Sequence, residues 1–227
     1  MSERLADTTG ARTGDAGTLP KSELQSFSAY LAAPLWALQG LIWVAAPKVQ
    51  AQAEPFHITN VLLFELFWMS IAGAVAFSAA SARQILTTMA APTSRLNRWA
   101  RILANLALGL ATAATVSIVF APLPAVQGIA LAVMTNLLNA ALVLLAGSLT
   151  LAAILSRRVD HGSLWVKALP TCLAALTIAM VGAIIASSTH SMVGLYFAVA
   201  VAILSGFAWL AWGRVSATAG RQQGRRD

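Results

Sequence analysis

The sequence predicts an all-α integral membrane protein: a bundle of six transmembrane helices with both termini in the cytoplasm. Of 227 residues, 58% are hydrophobic and 10% charged, and the mean hydropathy is +0.73, which is not a soluble composition. Six apolar segments each reach the roughly 20 residues needed to cross a hydrocarbon core of about 30 Å. All but one of the 15 Lys and Arg side chains fall on one side of those segments.

Residues 1–26 are polar and rich in small residues, with Thr8, Thr9, Gly10, Gly14 and Gly17, and cannot bury enough apolar surface to order themselves. They are expected to be a disordered cytoplasmic tail. Ser22 with Gln25 fits a capping box ahead of helix 1, which spans 27–46. That run is longer and later than the apolar core of a cleaved signal peptide, so it is expected to stay in the protein. Helix 2, at 58–80, follows a connection of about 11 residues. Helix 3 spans 100–120, and helix 4 spans 128–153 beyond a turn holding Pro122 and Pro124. Helices 5 and 6, at 168–189 and 192–213, are joined by a minimal turn around 189–191. No connection is long enough for a soluble domain, so 27–213 forms one transmembrane domain, and 214–227 is a basic cytoplasmic tail. A barrel is excluded, because its strands would alternate polar and apolar residues and these runs are apolar on every face.

Charge sets the orientation. Arg4, Arg12 and Lys21 precede helix 1; Arg83, Arg95, Arg98 and Arg101 lie between helices 2 and 3; Arg157, Arg158 and Lys167 lie between helices 4 and 5; Arg214, Arg221, Arg225 and Arg226 follow helix 6. Only Lys48 lies on the other side. Lys and Arg resist translocation, so the crowded side is expected to be the cytoplasmic face of the cell membrane. The pI near 10.8 is then a topology signal and gives no support to nucleic-acid binding. The single Cys172 excludes an internal disulfide, and three histidines are too few for a structural zinc site or several haems, so no metal or cofactor is expected. Tyr30, Trp99, Trp165, Trp209 and Trp212 fall near predicted inner ends, and Trp43 and Tyr196 near outer ends, as interfacial rings should. Trp36 and Trp68 lie too deep for such a belt.

In lipid, helices associate through close packing of small residues. The row Gly194, Ala198, Ala202 and Gly206 on helix 6 is the most specific, and Ala29, Ala33 and Ala37 form a weaker row on helix 1. The short turns make helices 5 and 6, and then 3 and 4, the expected antiparallel neighbours.

Glu65 is the one ionisable side chain well inside a predicted span. It is expected to face the bundle or a water-filled cavity, where an intramembrane carboxyl is a functional candidate. Helical spacing places Trp68, Met69 and Ala72 on its face, while Trp36, Gln39, Gly40 and Trp43 form a stripe on helix 1 at comparable depth. If the stripes meet, they form a pocket for a cationic or aromatic ligand, or a proton-coupled path; otherwise Glu65 is bonded to a neighbouring helix and the tryptophans are packing. Asn136 and Asn139 share a face of helix 4; they complete that pocket or, as the better expectation, staple helix 4 to a neighbour. Glu54, His57, His161 and His190 are expected to be ordinary exposed residues.

No P-loop, H-E-x-x-H, G-x-S-x-G or C-x-x-C motif is present, so no enzyme is expected. The leading expectation is a small, transport-related membrane subunit with a ligand site in the outer half, formed by Glu65, Trp68, Trp36, Gln39, Trp43, Asn136 and Asn139. The alternative is a non-catalytic accessory or assembly subunit of a larger complex. The partners implied are the lipid bilayer and other membrane subunits or a second copy, with a small-molecule ligand possible.

Overall fold

The computed structural model describes residues 21–50, 58–89, 94–120, 127–158, 164–187 and 192–223; for 21–25, 45–50, 58–64, 88–89, 119, 127, 186–187, 192 and 219–223 only the backbone is described. The predicted tail up to residue 20, the side chains of Ser22 and Gln25, and Glu54, His57, His161 and His190 lie outside this set. The described residues form six helices: α1 (Lys21–Gln50), α2 (Ile58–Met89), α3 (Arg95–Phe120), α4 (Gln127–Arg157), α5 (Leu164–Ser187) and α6 (Met192–Gln223). All six are long and apolar enough to cross a membrane.

The helices overrun the predicted spans, by six residues at the start of α1 and nine at the end of α2. Hydropathy marks the thickness of a hydrocarbon layer, whereas a helix continues for as long as its backbone N–H and C=O groups pair best with one another. Proline does not stop this, since α1 runs through Pro34 and α5 through Pro170. Each removes one backbone donor, which a helix packed among neighbours tolerates.

Side-chain contacts fix the pairing. Along α1, Ser28, Trp36, Gln39 and Trp43 meet Ser81, Ser78, Ser70 and Phe67 of α2 in turn, so the two helices are antiparallel. α3 and α4 are aligned by Ser148 Oγ, which donates to the Ala100 carbonyl at 2.9 Å. The most extensive contact was not anticipated: α6 closes back onto α1. A Cβ on Gly206 would lie 2.8 Å from the Ala33 carbonyl oxygen, and one on Gly40 would lie 3.0 Å from Ile203 Cγ1 and 3.3 Å from the Val199 carbonyl. The glycine row of α6 thus packs on the alanine row of α1, and Gly40 belongs to this contact. Each helix packs on its chain neighbours, and α2 also touches α4.

The core is dominated by fully buried alanines, among them Ala29, Ala72, Ala79, Ala104, Ala111, Ala141 and Ala202. Small side chains let backbones approach, and close van der Waals contact is what holds helices together in lipid. Larger residues fill the remaining space, including Trp209 and Trp212, which are 1% and 5% exposed. These two were expected at a membrane interface and lie inside the bundle instead. Trp99, Trp165 and Tyr196 are exposed near helix ends, where an interfacial ring belongs.

Candidate functional site

The seam between α1 and α2 is a ladder of buried polar side chains. At its lower end the Ser28 hydroxyl donates to Gln84 Oε1 at 3.0 Å, which leaves Ser81 as donor in the 2.8 Å bond to Ser28. The Trp36 indole N–H donates to Ser78 Oγ at 3.0 Å, in a site where Trp36 is 2% exposed and Ser78 is fully buried. Further along, Ser70 Oγ lies 2.7 Å from Gln39 Oε1, and the Trp43 and Phe67 rings meet at 6.3 Å in a tilted pair.

Gln39 is fully buried and only half satisfied. Its Nε2 has no hydrogen-bond partner. Ser70 has one hydroxyl proton but two acceptors in reach, Gln39 Oε1 and the Phe67 carbonyl at 2.8 Å. Turning the amide over resolves that conflict, because Nε2 would donate to Ser70 Oγ and Oγ would donate to Phe67. In either orientation one polar atom of Gln39 stays unpaired in the seam, which costs about 1–3 kcal/mol.

The two stripes do not lie face to face; they are linked where Phe67 touches both Trp43 and Trp68. Positions 67, 70, 78 and 81 of α2 line the α1 seam. At roughly 100° per residue, Glu65 and Ala72 lie on the opposite side of the helix, and Trp68 lies on its flank, with its ring edge-on to Phe67 at 5.1 Å. Ala72 there is fully buried and Trp68 packs half-buried against the core, whereas Met69 is exposed. Glu65 is half-buried, and among the described residues it is the one acidic side chain within the candidate spans. The geometry therefore places Trp36, Gln39 and Trp43 along one side of α2 and Glu65 on the other, with Trp68 between them, joined to Trp43 through the Phe67 ring. The serines that complete the seam were missed. Ser70 and Ser78 lie eight residues apart with Ala74 between them, a helical row that the sequence already displayed.

Asn136 and Asn139 join neither group. α4 packs on α2, α3 and α5, and both asparagines lie on its exposed side. No hydrogen bond joins either amide to another described residue. The expected staple to a neighbouring helix of the same chain is absent among the described residues, because helical phase turns positions 136 and 139 away from those neighbours. An open groove of about 520 Å³ lies between the last turn of α4 and the start of α5, lined by Arg157, Lys167, Thr171 and apolar side chains. Among the described residues no three His, Cys, Asp or Glu side chains cluster as metal ligands would.

Compared with models of known protein families, with curated proteins and with solved structures, the chain matches none.

Proposed function

We propose that this chain is a small polytopic protein of the cell membrane, with both termini cytoplasmic, that binds a small cationic or aromatic ligand in the outer half of the bilayer as part of a transport process. It is a binding protein and not an enzyme. Membrane residence is supported by six helices of sufficient length and hydropathy and by large apolar side chains exposed on all six, such as Leu41, Leu66, Val116, Ile129, Ile185 and Phe207. The orientation rests on the basic residues, which alternate helix directions gather at one end of the bundle.

The observation that carries the ligand site is the pairing of a half-buried carboxyl, Glu65, with a half-buried indole, Trp68, on one face of α2. A carboxylate and an indole face both favour positive charge, and a carboxyl within a span demands a polar partner. Trp36 and Gln39 support this site from the other side of α2, where their bonds to Ser78 and Ser70 hold α1 in place. Replacing Glu65 by Gln keeps size and polarity but removes the ionisable carboxyl. Uptake of candidate cations into proteoliposomes should fall to background in Glu65→Gln while the thermal melt in detergent stays unchanged; uptake equal to the parent's would refute the site.

A second reading, an accessory subunit, is favoured by one observation, the pair of exposed amides on α4. A stoichiometric complex with a different membrane protein in mild detergent would support it.

A further inference from the structure

The exposed face of α4 is built for close contact with another helix. Gly128, Ala132, Asn136 and Ala140 recur every four residues and are all exposed; nothing lies within 4 Å of a Cβ built on Gly128. Asn139 lies on the same face one turn beyond Asn136. The asparagines stand nine and twelve residues after Gln127, about 14 and 18 Å along the helix, well inside the candidate span Gly128–Arg157.

The treatment of other polar side chains on the lipid-facing surface shows why this matters. Hydroxyls close bonds onto their own helices: Thr112 Oγ1 donates to the Leu108 carbonyl at 2.8 Å, Ser117 Oγ to Ala113 at 3.1 Å, and Thr150 Oγ1 to Ala146 at 2.8 Å. A carboxamide carries two donors and an acceptor and cannot be satisfied in that way. Left in hydrocarbon, each amide would lose the bonds it makes in water and gain none in return.

We propose that two copies of this chain pair through α4, with the amides of Asn136 and Asn139 bonded across a two-fold axis normal to the membrane. An amide is its own complement, donor to acceptor, and this axis brings each asparagine to the depth of its counterpart. The row of small residues lets the two helices approach closely enough for those bonds to form, along the i to i+4 ridges that give crossed helix pairs. Asn105 on α3 is also exposed, beside Gly109 and Ala113, and offers the competing surface. α4 is favoured because it carries two amides three residues apart on one exposed face. The inference rests on the membrane-spanning part of the proposed function and is independent of the ligand site.

The test uses the full chain in its native membrane with Cys172 replaced by Ser. Single cysteines at Ala132→Cys or Ala140→Cys keep both amides and should form a disulfide-linked dimer under a membrane-permeant oxidant. Gly109→Cys on α3 and Phe207→Cys on α6 should not. Adding Asn136→Leu with Asn139→Leu to Ala140→Cys should lower the linked fraction about tenfold and yield a monodisperse monomer in mild detergent, a control that the fold survives. Linking through position 109 or 207 in preference to 140, unchanged linking after loss of both amides, or a different protein co-purifying on this face would each overturn the pairing. Retention in carbonate-washed membranes as a monomer defeats this inference alone, whereas release by the wash defeats the membrane reading with it.

Discussion

The α1–α2 seam and the outward face of α4 carry similar groups, hydroxyls and carboxamides amid small apolar residues, yet the fold treats them in opposite ways. In the seam, each polar atom but one of Gln39 has a partner a few ångströms away, and Trp36, Ser70 and Ser78 are almost wholly buried. On α4, Asn136 and Asn139 face outward with nothing described to bond them. Polar side chains inside a span are costly in either place, so the contrast teaches where each set finds partners: the seam within the chain, and the α4 face not among the chain's described residues.

Three substitutions would break or sharpen that contrast. Trp36→Ala should have the largest effect. It empties a buried indole site and removes the donor to Ser78, so it should destabilise the protein by about 3 kcal/mol and lower the melting temperature in detergent clearly. A change as small as that of an exposed tryptophan such as Trp165 would show that the seam is not a packed interface. Ser70→Ala should cost about 1 kcal/mol, because both ends of the Gln39 amide are then unpaired. Gln39→Leu should have the least effect, within about 1 kcal/mol of the parent, since it removes a half-satisfied amide and lets Ser70 bond to the Phe67 carbonyl alone. Unchanged stability with impaired uptake in Gln39→Leu would place its unpaired atom in contact with ligand and reconnect it to the Glu65 side of α2.

Much of the fold was legible because hydropathy and length are local properties. Six apolar runs require six helices, since a backbone in hydrocarbon must satisfy itself. The small row ending in Gly206 was visible too, but its partner was not. Short turns pointed to helices 5 and 6, and to 3 and 4, as neighbours, and both pairs do pack together, but nothing local in the chain showed that the tightest approach joins α6 to α1 at opposite ends of the described chain. Sequence separation does not measure the fit of one small-residue row against another. The candidate site was legible residue by residue and illegible as an assembly. Helical spacing puts Glu65 with Trp68 and Trp36 with Gln39, but the rotation of α2 about its axis decided that Glu65 turns away from α1, that Ser70 and Ser78 turn toward it, and that Trp68 meets the seam through Phe67.

The sequence by itself determined six apolar helices, their order, and the gathering of basic residues on one side of them, because each follows from composition counted along the chain. Only the tertiary structure decided which face of each helix is inside. That depends on how rows of alanine and glycine interlock between helices distant in sequence, and it put Trp209 and Trp212 in the core while leaving Asn136 and Asn139 exposed. In a chain so rich in alanine, nearly every face is small enough to pack, so apolar periodicity cannot choose among them; close contact between particular faces does.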